Sequence, residues 1–309
     1  MLLTGMVFST ACPVGACPVR AGGMASGAIQ SASTQGRWVN AAAMHYARGK
    51  HTATLLNSGK VLVFGGYPGD YTGLIDPELY DPATNSWSFA SAKSGGGAVL
   101  TNFYHHTATL LKTGQVLMVG GETYATANAV DAVQSYLKGV ELYDPISNTW
   151  TIQNHTIDFR VNHTATLLPS GKVLVAGGDT GDEYHTSLSS AEIYDPDLNS
   201  WTAALPMGTP RQNHFAILLR NGKVLVGSGA ASELQAPLIS TVLYDPDHNT
   251  WTPTGDLNTA HLSATPILMP DGKVFVAGGT NVSAYQSAEM YDPVSGIWTA
   301  LAGMPTARK

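Results

Sequence analysis

Short β-rich segments recur along the chain in a fixed order. A mixed segment of the HTATLL type precedes a glycine turn, and an almost wholly apolar run such as VLVFGG follows it. A segment of the ELYDP type comes next, and the last segment carries a tryptophan. Short apolar or alternating runs bounded by Gly, Pro and Asn are typical of strands. The pattern therefore predicts an all-β protein made of four-stranded units.

These segments form internal repeats. The first two segments recur with steps of 55, 57, 51 and 50 residues, at 51–66, 106–121, 163–178, 214–229 and 264–279. Each copy is followed by a Tyr-Asp-Pro unit and a tryptophan, at Tyr80 and Trp87, Tyr143 and Trp150, Tyr194 and Trp201, Tyr244 and Trp251, and Tyr291 and Trp298. Self-similarity at a fixed period of about 50 residues indicates a repeat architecture.

Turn residues separate the predicted strands within each repeat. A glycine able to adopt positive φ joins the first strand to the second, just before Lys60, Lys172, Lys223 and Lys273. The second strand is apolar on both faces, which favours burial between neighbouring units. Asp-Pro ends the third strand, because proline cannot donate to the ladder. Asn85-Ser86 and Asn148-Thr149 then lead into the fourth strand.

This order of residues resembles the kelch repeat, in which Gly-Gly follows an apolar strand and Tyr and Trp come later. The resemblance covers about Trp38 to Trp298. It implies a β-propeller, with four-stranded blades around a central channel. The Tyr and Trp side chains are then expected in the core between blades.

The number of blades has two interpretations. Five repeats are complete, and we expect residues 41–309 to form the propeller with blades near 48–90, 103–153, 160–204, 211–254 and 261–302. Trp38 and the weak echo in Phe8–Gly23 favour a sixth, degenerate blade within the irregular segment 1–40. A five-bladed ring with a loose N-terminal segment is the alternative.

A metal site is one hypothesis for the channel mouth. The first strand of each blade is innermost, so a histidine at its start is repeated around one mouth, at His51, His106, His163 and His214. Four imidazoles directed at one axis would bind a divalent metal, zinc above all. Glu122 and Asp179 follow the glycine pair beside two of them and would act as general base or extra ligand. The alternative is structural, since repetition of one blade copies its histidines.

Other residues at the same mouth are candidate ligand contacts. Three arginines precede the histidine position by three residues, at Arg48, Arg160 and Arg211. They would either bind an anionic ligand or pair with the glutamates before the blade tyrosines, Glu78, Glu141, Glu192 and Glu289. The loops 67–74, 122–138, 179–190, 230–240 and 280–287 share this face and carry the further candidates Tyr124, Tyr184 and His185.

The composition of the chain limits the classes of partner that it is expected to bind. The net charge of −6 comes without any Lys/Arg run, which argues against nucleic acid. No apolar stretch approaches the roughly 20 residues of a membrane helix. Cys12 and Cys17 are the two cysteines, so the repeats lack the crosslinking cysteine of a galactose-oxidase-like copper-radical site. The apolar start without a basic residue is a poor signal peptide, and an extracytoplasmic or secreted bacterial protein is favoured.

Two functions therefore remain. The first is a monomeric binding module that takes a small molecule, a glycan or a protein at the channel mouth. The second is a metal-dependent hydrolase of esters or phosphoesters that uses the histidine ring. Fold alone does not decide between them.

Overall fold

The computed structural model describes residues 39–67, 76–90, 104–124, 134–136, 138–181, 186–232, 235–280 and 284–308. The chain divides into two units, Met1–Asn40 and Ala41–Lys309, and every described strand belongs to the second. Trp38 and the segment Phe8–Gly23, on which the sixth blade depends, lie outside the described residues. The six-bladed ring therefore stays a prediction.

The described residues form 22 strands. The first two repeats contain β1 (Thr52–Leu55), β2 (Val61–Phe64), β3 (Glu78–Asp81), β4 (Ser86–Phe89), β5 (Thr107–Leu110), β6 (Val116–Val119), β7 (Glu122–Tyr124), β8 (Gln134–Tyr136), β9 (Val140–Asp144) and β10 (Thr149–Ile152). The third and fourth contain β11 (Thr164–Leu167), β12 (Val173–Ala176), β13 (Ala191–Asp195), β14 (Ser200–Ala204), β15 (Phe215–Leu218), β16 (Val224–Gly227), β17 (Thr241–Asp245) and β18 (Thr250–Pro253). The fifth contains β19 (Ile267–Leu268), β20 (Val274–Ala277), β21 (Ala288–Asp292) and β22 (Ile297–Ala300).

Each repeat folds into one four-stranded antiparallel sheet, as its sequence predicts. The sheets have the orders β1-β2-β3-β4, β5-β6-β9-β10, β11-β12-β13-β14, β15-β16-β17-β18 and β19-β20-β21-β22. Strands β7 and β8 pair separately within the loop of the second sheet. The first strands β1, β5, β11 and β15 contact one another in sequence, so the first strand is the inner edge of these sheets. The all-β, four-stranded architecture of the propeller is confirmed.

The turns within each sheet have the backbone conformation that their residues predict. Gly59 has φ +82° between β1 and β2, where the Leu56 amide donates a hydrogen bond to the Lys60 carbonyl oxygen at 2.8 Å. Asn85 has φ +50° between β3 and β4, and its side-chain oxygen accepts a hydrogen bond from the Tyr80 hydroxyl at 2.9 Å. Asparagine tolerates this left-handed region better than most residues. The turns therefore place the Tyr of the third strand over the Trp of the fourth.

The core lies between consecutive sheets. Strand β6 is buried along its whole length, and its side chains alternate between two interfaces. Val116 and Met118 pack against the first sheet with Phe64 and Trp150. Leu117 and Val119 pack against the third sheet. The predicted burial of the second strand on both faces is therefore confirmed for β6. The apolar clusters of the described residues lie between neighbouring sheets.

Candidate functional site

The beginning of each first strand and the end of each second strand lie at the same edge of the sheet. The register shows this directly, since Thr52 pairs with Phe64 and Thr164 with Ala176. Isolated bridges extend the pairing past the strand ends, for example Gly49 with Tyr67 and Val161 with Asp179. We call this edge of the molecule the mouth face, made of residues 45–51, 65–67, 104–106, 120–122, 160–163, 177–179, 211–214, 228–230, 261–263 and 278–280.

The repeated histidines on the mouth face bond to neighbouring sheets. His106 Nε2 lies 2.9 Å from Thr52 Oγ1 of the first sheet, and His163 Nε2 lies 2.9 Å from Thr107 Oγ1 of the second. His214 Nε2 makes the same 2.9 Å contact with Thr164 Oγ1. The imidazoles therefore point along the ring toward the preceding sheet, whereas the metal hypothesis predicts that they converge on the axis.

Burial keeps the imidazoles of His163 and His214 neutral. It lowers the pKa of both His163 and His214 to about 3, and the charges of Arg160 and Arg211 nearby act in the same direction. The pKa of His51 is lowered for the same reasons, with Arg48 as its charged neighbour. Within the described ranges, no group of three or more His, Cys, Asp and Glu is placed to hold a metal ion. The zinc site and the hydrolase that depends on it stay predictions that this geometry does not support.

The arginines preceding the histidines are mostly internal anchors. Arg48 Nη2 lies 2.7 Å from Glu78 Oε1, with both side chains buried. Arg160 Nη2 lies 2.8 Å from Glu192 Oε1. The predicted arginine–glutamate pairing is therefore present at these two positions, and the guanidinium groups are not displayed to a ligand. In the described part of the chain, Arg211 bonds serine oxygens and has no glutamate partner.

The fifth sheet makes the same anchor with a histidine. His261 stands where the first, third and fourth sheets have arginine, and its Nδ1 lies 2.7 Å from the carbonyl oxygen of Gly278. Its Nε2 lies 3.2 Å from Glu289 Oε1. His261 is 0 % exposed, so it belongs to this internal series and not to the series that starts with His51.

The two carboxylates proposed as catalytic are also engaged with the protein. Glu122 is 4 % exposed, and its Oε1 lies 2.7 Å from His105 Nδ1. Asp179 is fully buried, and its Oδ1 accepts a hydrogen bond from the Gly181 amide at 2.8 Å. Asn162 Nδ2 donates to Asp179 Oδ2 at 3.2 Å. Both carboxylates thus brace the mouth-face backbone, and their catalytic role stays an untested prediction.

The residue directly before the histidine position was missed by the sequence interpretation. In all five sheets this residue has left-handed φ, between +54° and +59°, at Lys50, His105, Asn162, Asn213 and Ser263. Backbone hydrogen bonds link successive members, from the Asn162 amide to the His105 carbonyl at 3.2 Å and onward to Asn213 and Ser263. All five are exposed or half-buried, so they present side chains at the mouth. Asn162 and Asn213 could have indicated this conformation from the sequence, because asparagine is enriched at positive φ.

Aromatic and charged groups cluster where the first two sheets meet at the mouth. Lys50 Nζ lies 5.6 Å from the centroid of the Tyr104 ring, within cation–π range. The rings of Tyr67 and Tyr104 have centroids 6.5 Å apart, and the His105 ring lies 5.1 Å from that of Tyr104. Lys50 is exposed while Tyr67 and His105 are half-buried. This arrangement offers a mixed aromatic and basic contact surface.

Three candidate ligand residues cannot be placed. The backbone of Tyr124 ends β7, but its side chain lies outside the described part of the structure, as do Tyr184 and His185 entirely. Among the residues that are described, no helix is long and apolar enough to cross a membrane.

Two family models match the chain. One, described as "Attractin/LZTR1 beta-propeller", matches residues 30–239, and the other, described as "Kelch motif", matches residues 267–305. A solved structure titled "Structure of YjhT" is similar with a TM-score of 0.65, and the alignment covers 86% of this chain and 88% of that one. Its sequence identity is 16%, so this likeness concerns the fold alone.

Curated relatives match over shorter lengths. Kelch-like protein 25 of Xenopus tropicalis is 31% identical over 144 residues, which is 46% of this chain and 23% of that protein. Kelch-like protein 23 of Homo sapiens is 26% identical over 191 residues, which is 60% of this chain and 29% of that protein. The match therefore spans less than a third of each of these relatives.

Proposed function

Since the chain belongs to the Attractin/LZTR1 β-propeller family of kelch-repeat proteins, we propose that it is a protein-binding module whose contact surface is the mouth face. The proposal rests on a contrast between two groups of side chains at that face. The residues shared by the repeats are bonded internally, whereas the residues that differ between repeats are presented outward.

The internal group forms a rigid frame. The repeated histidines bond threonines of the preceding sheet, and the Arg48 and Arg160 guanidinium groups bond buried glutamates. Each buried polar group that is satisfied in this way resists displacement, because breaking the bond leaves a desolvated partner. The frame therefore holds the mouth backbone in one conformation before any partner arrives, which lowers the entropic cost of binding.

The outward group differs from sheet to sheet. Lys50, His105, Asn162, Asn213 and Ser263 occupy equivalent places, yet they include a cation, an imidazole, two amides and a hydroxyl. Of these, His105 and Asn162 also bond the buried carboxylates Glu122 and Asp179. The half-buried Tyr67 adds aromatic area near the buried Tyr104 ring, over which Lys50 lies. Tyrosine is enriched at protein interfaces, where one end of the ring is apolar and the other polar. Chemical variety on a fixed backbone supports selective recognition of one partner.

The test compares single substitutions on opposite faces. Partners are identified by cross-linking and mass spectrometry in extracts of the source organism, and the Kd is then measured with purified components. Lys50→Asp and Ser263→Asp alter the mouth at residues whose left-handed backbone aspartate tolerates. Ser58→Asp makes the same serine change in an exposed turn at the opposite end of the first sheet.

We expect Kd to rise by about tenfold or more, roughly 1.4 kcal/mol, in each mouth variant and to stay unchanged in Ser58→Asp. A partner whose Kd depends on Ser58 and on neither mouth residue would contradict the proposal. Ligands found on a glycan array, with no protein partner recovered, would replace protein by carbohydrate as the class of ligand.

A further inference from the structure

A buried glutamate stands two places before the third-strand tyrosine in four of the described sheets, at Glu78, Glu141, Glu192 and Glu289. Three of them, Glu78, Glu192 and Glu289, share one type of backbone donor arrangement. In each case two consecutive backbone amides donate to its oxygens at 2.7–3.3 Å, from His45 and Tyr46, from Ile157 and Asp158, and from Asn258 and Thr259. A basic side chain, Arg48, Arg160 or His261, completes each set of donors.

The fourth sheet keeps the basic residue and the backbone segment but lacks the carboxylate. Val242 occupies the place of Glu192, two residues before Tyr244. Arg211 is 1 % exposed, like Arg160, and binds the corresponding neutral acceptors. Its Nη1 donates to the carbonyl oxygens of Ser228 and Ser240 at 2.9 Å, and its Nη2 donates to Ser240 Oγ at 2.9 Å.

One donor of Arg211 meets no acceptor. Arg160 Nε donates to Glu192 Oε1 at 2.9 Å, whereas Arg211 Nε is buried without a hydrogen-bond partner among the described residues. Arg48 Nε is also unpartnered there, but Arg48 binds Glu78 through Nη2, and Arg211 has no such carboxylate. The amides of Gly208 and Thr209 stand where Ile157 and Asp158 donate to Glu192, and both residues are exposed. In the described part of the chain, no hydrogen bond occupies either amide. Three donors thus surround the place that a carboxylate takes in the other sheets.

Among the residues that the structure describes, the charge of Arg211 has no ion-pair partner. Burial lowers the pKa of Arg211 to about 10, and the charge that opposes this shift belongs to Asp256. Asp256 is exposed, and it forms no ion pair with Arg211. A buried cation is costly unless a counter-ion accompanies it. An external anion that accepted hydrogen bonds from all three donors would supply that counter-ion.

We propose that Arg211 and the backbone amides of Gly208 and Thr209 form a carboxylate-binding site in the fourth sheet. Its ligand is a small carboxylate, or the carboxylate of an acidic side chain on a peptide, entering past the exposed 208–209 backbone. Carboxylate is favoured over phosphate because three other sheets of this chain hold a carboxylate with two consecutive backbone amides and a basic side chain. The site does not depend on the proposed function, since its donors lie outside the outward group that includes Lys50.

The direct test is an NMR titration of the ¹⁵N-labelled protein at constant ionic strength. Sodium formate, sodium acetate and an end-blocked Gly-Glu-Gly peptide are the probes, with sodium chloride as the reference salt. We expect saturable shifts of the Gly208 and Thr209 amide signals at millimolar or higher concentrations, since such small ligands make few contacts. The Ile157 and Asp158 amides serve as internal controls, because Glu192 already occupies them. Response to formate but not to the peptide would assign the site to free carboxylates, and the reverse would assign it to side chains.

Two variants separate binding from a general salt effect. Val242→Glu supplies the internal carboxylate and should abolish the response, while Val242→Thr keeps the side-chain size and should retain it. Equal shifts in the wild type and Val242→Glu, or wild-type shifts no larger at Gly208 and Thr209 than at Ile157 and Asp158, would overturn the proposal. The comparison within the wild type holds even if Val242→Glu does not fold.

Discussion

At the scale of single residues, the mouth-face histidines act as links between sheets. Each Nε2 contact joins a side chain at the start of one first strand to a threonine at the start of the preceding one, as for His214 and Thr164. The imidazole also lies close to the neighbouring backbone, with His214 Cε1 at 2.7 Å from the place a Cβ on Gly177 would take. Such a link needs a neutral ring, because a buried imidazolium would be desolvated beside Arg211.

Stability should therefore fall as the pH is lowered below 6.5. In the unfolded chain His163 and His214 bind protons near their ordinary pKa of about 6.5, whereas in the folded chain they do so near pH 3. Between these values the unfolded state carries more protons, so the free energy of unfolding falls by up to about 1.4 kcal/mol per pH unit for each histidine. Urea unfolding between about pH 4.5 and 6.5 measures this slope, above the range where carboxylates dominate.

His214→Gln provides the comparison for that measurement. It removes one of the two titrating histidines. The slope of the free energy of unfolding against pH should therefore fall by the contribution of one proton. An unchanged slope would show that His214 is protonated in the folded protein at the same pH as in the unfolded chain.

At the scale of elements, the glycine pair that follows the second strand in four of the five sheets lets two backbones approach closely; the fourth sheet has Ser228 and Gly229 there. The Gly178 amide donates to the Arg211 carbonyl at 2.7 Å, and a Cβ on Gly177 would lie 2.5 Å from that carbonyl oxygen. In the same way, a Cβ on Gly120 would lie 2.4 Å from the Arg160 carbonyl oxygen. The pair therefore joins the end of one second strand to the segment that enters the next sheet.

Gly177→Ala should destabilise the protein more than Gly222→Ala does. Gly222 also has positive φ, but the space around it is open. Gly222 has φ +82° in a turn, and its nearest neighbour to an added Cβ is 3.7 Å away. Gly222→Ala should cost the left-handed strain alone, roughly 1–2 kcal/mol. Gly177→Ala adds the clash with backbone, so its loss should exceed that of Gly222→Ala in urea or thermal unfolding. Equal losses would show that the strand end relaxes without cost.

At the scale of the whole molecule, stability comes from a series of equivalent interfaces. Each described core cluster lies between two consecutive sheets, and the second strand contributes to the interface on either side. The fourth strands are more exposed, as β4 shows with Phe89 46 % exposed. Protection from solvent is therefore graded from the inner strands outward.

Hydrogen–deuterium exchange should follow this gradient. Amides in β2, β6, β12 and β16 should exchange most slowly, and those in the fourth strands more quickly, because the former are covered on both faces. Mass spectrometry of peptic fragments measures the rates strand by strand. Rates that instead change progressively from the first sheet to the fifth would indicate fraying along the array, as in an open repeat protein.

The arrangement within each sheet was predictable from local sequence, while the mouth was only partly so. Strand order and the buried second strand follow from apolar runs and turn residues, which act over a few neighbours. The pairing of Arg160 with Glu192 was one of two open interpretations and needed the observed 2.8 Å contact to decide it. The left-handed conformation of Lys50 and Ser263 had no signature in their residue type.

The sequence by itself determined the repeats, their four strands and the residues that pack between sheets, because hydrophobic periodicity and turn chemistry are local properties of the chain. The tertiary structure decided the direction of each mouth side chain. His163 turns toward Thr107 because the neighbouring sheet offers a hydroxyl at bonding distance. Arg211 lacks the partner that Arg160 has because a distant position holds valine. Such choices depend on groups brought together from separate repeats, and only packing determines them.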